Sequence, residues 1–154
     1  MSYHTDFHAW TVEQAAALRQ AAAQRIDPAA GIDWDNVAEE IESLGRSELR
    51  AMESAMVRIL EHLLKLRCSP AAEPRAGWRE SVAVHRDDLH RLKQDNPGLV
   101  GRIDVVGAYA SARRIAAVSL ESRDGVAKST LPAVCPFTPA EIEDDDWYPD
   151  GPSR

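Results

Sequence analysis

A single uninterrupted helical pattern in the first half of the chain constrains the fold more than any other feature. The run starts with acidic and apolar residues from Asp33 to Glu48 and continues without proline to Arg67. Its apolar residues recur at helical spacing and stay on one face, as in an amphipathic helix. We therefore predict a helix over 34–67 with Asp33 as its N-cap. The apolar face consists of Trp34, Val37, Ala38, Ile41, Leu44, Met52, Ala55, Met56, Ile59, Leu63 and Leu66.

The length of this helix limits how it fits into one domain. At 1.5 Å per residue it would extend for about 50 Å. A compact domain of 154 residues has a diameter of only about 40 Å. Either the helix bends or breaks near Gly45, or the molecule is elongated and exposes an apolar face to a partner. Of these two we predict a bend near Gly45.

Three further main helices are predicted from caps, breakers and apolar spacing. Thr11 followed by Gln14 is a capping-box arrangement, which predicts a first helix over 11–25. Two prolines end the long helix, and the next apolar face predicts a third helix over 75–94. An Asn-Pro pair then caps and opens a fourth helix over 97–121.

The remaining pattern completes an all-α fold. Thr138, Pro139 and Glu141 indicate the start of a short C-terminal helix. No stretch shows the strict apolar-polar alternation of a strand. We predict a bundle of four main helices plus the short one, in a single domain over 1–148 with a tail over 149–154.

The charge distribution disfavours nucleic acid as a partner. The formal net charge is −7, and six acids follow Pro136 against one base, Arg154, so the rest of the chain is nearly neutral. Neither part has the basic face that nucleic-acid binding relies on. A weak version of that function rests on five bases of the third helix, Arg75, Arg79, Arg86, Arg91 and Lys93.

The two cysteines and the apolar runs indicate a cytoplasmic protein. Cys68 and Cys135 lie far apart and form no CxxC pair, which favours two free thiols in a reducing compartment. No apolar run approaches the ~20 residues of a membrane span. The first residues lack the basic and apolar segments of a secretory signal.

Several separated motifs follow one another along almost the whole chain. They are Tyr3, Asp6-Phe7, Ala9-Trp10-Thr11, Gln14-Ala15, Leu18-Arg19, Asp33-Trp34, Asn36, Ala38-Glu39-Glu40-Ile41-Glu42, Leu44-Gly45, Ser47-Glu48, His62-Leu63-Leu64-Lys65, Trp78-Arg79, Pro97, Leu99, Tyr109, Ala112-Arg113 and Cys135-Pro136-Phe137-Thr138. In this order, over about residues 3–148, they resemble the bacterial family called domain of unknown function 29. This resemblance implies a small, helical bacterial protein without an established activity.

Two charged residues fall on apolar faces. Glu48 lies in helical phase with the apolar stripe of the long helix, and Arg113 does the same in the fourth helix. An unpartnered buried charge is too costly to persist. We expect Glu48 and Arg113 to pair with each other, as a structural or ligand-binding polar pair. The alternative is that a bend in the helix gives both side chains access to water. Glu39, Glu40 and Glu42 flank the stripe and are expected to be solvated acids.

A second set of polar residues raises the possibility of a metal site. His85 and Asp88 share a helical face, and His62 lies near the end of the preceding helix. Two helices joined by a short loop could bring them together as a His/His/carboxylate site. The alternative, which we favour, is that His85 is a satisfied histidine on an apolar face.

No complete catalytic set is present. The chain has neither a nucleophile elbow nor a glycine-rich phosphate loop, and no cofactor is expected. We predict a non-enzymatic cytoplasmic interaction module that binds a protein partner or self-associates. The alternative is a metal-binding helical bundle or a metal-dependent enzyme that uses His62, His85 and Asp88. Trp147 and Tyr148, beside the acidic run, either fold back onto the bundle, as we expect, or form a detachable segment for a partner.

Overall fold

The computed structural model describes residues 2–24 and 31–152, and every regular element in this part is helical. Four main helices and a short C-terminal one confirm the predicted all-α class. No helix among the described residues is long and apolar enough to cross a membrane. The α-helices are α1 Phe7–Ala23, α2 Trp34–Cys68, α3 Arg75–Asp95, α4 Val105–Asp124 and α5 Pro139–Glu143, and 3-10 turns lie at Pro97–Arg102 and Lys128–Thr130.

The first helix begins one turn earlier than predicted. Asp6 is its N-cap, and the Asp6 Oδ1 accepts from the backbone N–H of Ala9 at 2.8 Å. Thr11, the predicted cap, is fully buried inside α1, where its hydroxyl donates to the carbonyl of His8 at 2.7 Å. Asp caps a helix at least as well as Thr, so the earlier Asp6 sets the start. Residue 25, the predicted end of α1, lies outside the described residues.

The long helix α2 runs through Gly45 without interruption. Asp33 caps it as predicted, with Oδ1 accepting from the N–H of Asn36 at 3.1 Å. A break at Gly45 is therefore excluded, whereas the bend near Gly45 stays a prediction; the glycine also has a packing role. It is buried, and a Cβ added there would overlap the Oγ1 of Thr11 and lie 3.1 Å from the Cδ2 of His8. Gly45 allows α1 to approach α2 closely.

We expect Gly45→Ala to destabilise the protein by about 1–3 kcal/mol. Alanine favours a helix interior by roughly 1 kcal/mol over glycine, but Thr11 is fully buried and has no space to move. The free energy of unfolding in urea measures the effect. The matched control is Gly77→Ala in α3, where an added Cβ meets nothing within 4 Å. Equal stability changes in the two variants would contradict the close approach.

The predicted fourth helix is in fact two elements. A 3-10 turn covers Pro97–Arg102, and α4 starts at Val105 behind its own N-cap, Asp104. The Asp104 Oδ1 accepts from the N–H of Gly107 at 2.9 Å. The start predicted at Pro97 is therefore wrong, because Asp104 provides a second cap within the same apolar pattern. The short helix α5 begins at Pro139 with the predicted capping box.

The chain divides into two compact units, each assembled from separated stretches. Unit 1 comprises residues 1–52 and 91–103, and unit 2 comprises 53–90 and 104–154. Unit 2 contains most of the buried apolar side chains, while the fully buried apolar residues of unit 1 in the described part are Ala15, Ala38, Met52 and Leu99. Unit 1 also buries Asp6, Thr11 and Asn96. Its stability therefore depends more heavily on polar contacts. The single domain over 1–148 stays a prediction.

Candidate functional site

Asn96 is the centre of a polar network in unit 1. It is fully buried, and its Oδ1 accepts from the N–H of His8 at 3.0 Å. Its Nδ2 donates to the Oε2 of Glu48 and to the carbonyl of Leu92, both at 3.1 Å. Both donors of the amide are thus used. The network connects the start of α1, the middle of α2 and the end of α3.

Asp6 extends the polar contacts of unit 1 to the 3-10 turn. Only 3% of Asp6 is exposed. Besides capping α1, it accepts through Oδ2 from the N–H of Gly98 at 2.8 Å. A Cβ at position 98 would lie 2.7 Å from this oxygen, so a glycine is needed for the contact. Asp6 therefore fixes the turn after α3 against the first turn of α1.

Four rings cluster beside this network. Tyr3 makes edge contacts with the rings of His4, Phe7 and Trp10, at centroid distances of 5.2, 5.4 and 5.1 Å. Phe7 and Trp10 stack at 6.1 Å. The tyrosine nevertheless remains 52% exposed. Three of these rings line a cleft of about 370 Å³ together with part of the polar network. We call it the Glu48 cleft; its lining residues are Tyr3, His4, Phe7, Glu48, Asp95 and Asn96.

A second feature of unit 1 is an open apolar groove on the first half of α2. The side chains of Leu44, Ile32 and Val37 are 54%, 44% and 40% exposed, although they belong to or adjoin the stripe that the sequence predicts to be buried. The groove has a volume of about 460 Å³. We call it the α2 groove; its lining residues are Ile32, Asp33, Asn36, Val37, Glu40, Ile41 and Leu44.

The first half of α2 is acidic, and two acids, the N-cap Asp33 and Glu40, line the α2 groove. Glu39 and Glu40 are exposed, as predicted. Glu42 is only half-exposed because it accepts two hydrogen bonds from the guanidinium of Arg19, at 2.5 and 3.0 Å. That guanidinium lowers the pKa of Glu42, and Arg46 adds a weaker ion pair at 3.7 Å. The charge of Glu42 is thus compensated by Arg19, whereas Glu39 and Glu40 are exposed and have no such ion pair with Arg19.

Glu48 and Arg113 each have partners within their own unit. Glu48 accepts from Asn96, as described above. The guanidinium of Arg113 donates to backbone carbonyls after α4, from Nε to Pro132 at 2.9 Å and from Nη2 to Leu131 at 3.1 Å. Arg113 therefore anchors the loop that follows α4. A direct pairing of Glu48 with Arg113 stays a prediction.

The structure does not group His62, His85 and Asp88 into a metal site. His62 is half-buried, and its Nδ1 lies 2.8 Å from the carbonyl of Arg58, one turn earlier on α2. Burial lowers the pKa of His62, which favours the neutral ring. His85 lies beside Asp88 on α3, with Nδ1 and Oδ2 3.8 Å apart. Among the described residues, no group of three or more His, Cys, Asp or Glu side chains is placed to hold a metal ion.

Arg86 has a role that the sequence analysis missed. It was listed among the five bases of the third helix that could contact nucleic acid, but it is fully buried in unit 2. Its guanidinium donates to the carbonyls of Glu141, Ile142 and Trp147 at 2.8, 2.8 and 3.0 Å. It also lies over the ring of Tyr148, 5.1 Å from the centroid. Its burial could have been predicted from the sequence, because Arg86 lies on the apolar face of α3 between Val82 and Leu89.

These contacts fold the C-terminal aromatic residues back, as expected. The ring of Trp147 meets that of Phe137 edge-on at 5.9 Å, and the Tyr148 ring also lies under Arg79. The acidic run between α5 and Tyr148 is therefore held at both ends within unit 2.

The two cysteines are free thiols, as predicted. Both are half-buried, and burial raises the pKa of Cys68 and of Cys135. A raised pKa keeps a thiol protonated and poorly nucleophilic at neutral pH. The structure therefore gives no support to cysteine catalysis at these two positions.

Comparisons with known proteins agree with the helical architecture. The family described as Domain of unknown function DUF29 matches residues 2–148. A solved structure, an alpha-helical protein of unknown function from Rhodospirillum rubrum, is 31% identical with a TM-score of 0.81. The match covers 96% of this chain and 92% of that one. The search of curated proteins gave no match.

Proposed function

Since the chain belongs to the family Domain of unknown function DUF29, which brings a fold without an activity, we propose its function from its surface. The protein is a non-enzymatic helical interaction module of the bacterial cytoplasm. Its α2 groove binds an amphipathic, basic segment of a partner protein.

The exposed apolar face of α2 carries this proposal. Amphipathic helices normally bury their apolar stripe, yet Leu44 and Val37 are well exposed while the same stripe is buried from Met52 onwards. Fully covering one such side chain contributes roughly 1.5–3 kcal/mol. The groove is thus a favourable place for another apolar face. A helix laid into an apolar groove is a recurrent mode of peptide recognition.

The charges around the groove select the kind of occupant. Residues 33–45 contain five acids and no base. Of these acids, Asp33, which caps the helix, and Glu40 line the groove, and Glu40 is exposed. A second copy would set these carboxylates against each other, and like charges in an interface are unfavourable. A basic segment meets them with complementary charge.

The affinity of model peptides tests this proposal. One labelled peptide of about five helical turns combines a leucine face with lysines, and its matched partner has glutamates in place of the lysines. We expect fluorescence anisotropy to show binding of the basic peptide and none of the acidic one. Leu44→Ser is expected to lower the affinity for the basic peptide at least about tenfold, because the apolar burial of Leu44 is lost.

The control variant is Val118→Ser, which removes an exposed valine of unit 2. It should leave the affinity unchanged. Equal binding of both peptides, or an affinity that Leu44→Ser does not alter, would contradict the proposal. Sedimentation that shows a dimer dissociated by Leu44→Ser would also contradict it, because a second copy would then occupy the groove.

A further inference from the structure

We propose that the Glu48 cleft is a binding site for a small organic diamine in its doubly protonated form. All six lining residues belong to unit 1, and none of them lines the α2 groove. The site is therefore separate from the docking surface proposed above and does not depend on it.

The polar wall of the cleft presents two carboxylates, and one of them is held in place from behind. The buried amide of Asn96 donates to the Oε2 of Glu48, and its other contacts to His8 and Leu92 fix the orientation of the amide. Asp95, next to Asn96 at the end of α3, adds the second carboxylate to the lining. The polar wall thus suits a ligand with two positive charges.

The cleft is also lined by aromatic rings. Tyr3, His4 and Phe7 line it, and the edge contacts of Tyr3 with the neighbouring rings hold the tyrosine in a defined position although it is half-exposed. An ammonium group within about 6 Å of an aromatic ring is attracted by the negative face of that ring. Carboxylates and aromatic rings in one cleft are the chemistry that recognises organic cations.

Size and ligand spacing favour an organic cation over a metal ion. The cleft holds about 370 Å³, within the range of small-molecule sites, which is roughly 300–1,000 Å³. The described residues provide no group of three carboxylate, imidazole or thiolate ligands in reach of one ion, so His4, Glu48 and Asp95 do not form such a group. A short diamine offers one ammonium group to each of the two carboxylates and a methylene chain to the rings.

Calorimetric titration with 1,4-diaminobutane tests the proposal, with 1,4-butanediol as the uncharged probe of similar shape. We expect saturable binding of the diamine and none of the diol. Glu48→Gln keeps an oxygen that can accept from Asn96 but removes the negative charge. We expect it to lower the affinity for the diamine at least about tenfold. Tyr3→Leu should weaken it several-fold.

The matched control is Glu40→Gln, which removes an exposed acid of the same helix outside the cleft. It should leave diamine binding unchanged, and so should Leu44→Ser, which separates this proposal from that of the α2 groove. Equal weakening by Glu40→Gln and Glu48→Gln would overturn the proposal, as would binding of the diol. Tighter binding of an N-acetyl-lysine amide than of the diamine would overturn the assignment to a small diamine and indicate a protein side chain instead.

Discussion

Arg86→Met is expected to lower the free energy of unfolding by about 3–5 kcal/mol. Methionine keeps the apolar length of the side chain, but the carbonyls of Glu141, Ile142 and Trp147 lose their donor. A hydrogen bond from a charged donor contributes about 1.5–3 kcal/mol, and a buried acceptor without a partner is costly. Urea unfolding followed by circular dichroism measures the loss.

Arg79→Met is the matched control for this prediction. Arg79 is exposed on the same helix and also lies over Tyr148, with 5.0 Å to the ring centroid. Its loss removes a surface cation–π contact of about 0.5–1 kcal/mol. Arg86→Met should in addition speed proteolysis between α5 and Tyr148, because that segment loses its anchor. Equal destabilisation by the two variants would contradict the role of Arg86.

Asn96→Leu is expected to destabilise the protein by about 2–4 kcal/mol. Leucine fills a similar volume but leaves the N–H of His8 without its acceptor and Glu48 without its donor. The carbonyl of Leu92 loses the side-chain donor and keeps the backbone N–H of residue 96. Urea unfolding measures this effect. The control is Gln94→Leu, which adds the same side chain at an exposed position two residues earlier. If Asn96→Leu lowered the free energy of unfolding no more than Gln94→Leu, the result would contradict a stabilising role of the Asn96 network.

The isosteric change Asn96→Asp tests the contact with Glu48 more narrowly. It keeps an acceptor for His8 but places a second carboxylate where Nδ2 now lies 3.1 Å from the Oε2 of Glu48. Like charges at that distance raise the pKa of the pair in the folded state. Stability is then retained at low pH and lost as the pH rises through the raised carboxyl pKa. A variant whose stability does not improve on acidification would contradict the contact.

Local signals in the sequence predicted the elements that depend on them. The apolar period and Asp33 predicted α2 closely, and Thr138 with Glu141 predicted the capping box of α5. Where two caps compete, periodicity does not decide between them. The first helix is capped by Asp6 and not by Thr11. The apolar pattern that begins at Pro97 contains a second cap, Asp104, where α4 starts.

The parts of the sites that escaped prediction depend on contacts between distant segments. Glu48 was singled out by its helical phase, but its partner Asn96 was interpreted as a cap, because a buried amide and a capping amide look alike in sequence. The burial of Arg86 was missed for a similar reason. Its acceptors are backbone carbonyls more than 50 residues away in the chain, and no local pattern indicates them. Exposure of the α2 stripe is likewise a tertiary property.

The binding of a basic amphipathic segment to the α2 groove is most directly tested by mapping the bound peptide on the isotopically labelled chain by NMR. The account predicts that the lysine peptide shifts the backbone signals of residues 32–44 and leaves those around Arg86 and Asn96 in place. It also predicts that added salt lowers the affinity of the peptide, and so reduces the shift changes at a given peptide concentration, because exposed charges are screened. Shifts confined to another part of the chain, or shifts produced equally by the glutamate peptide, would contradict it.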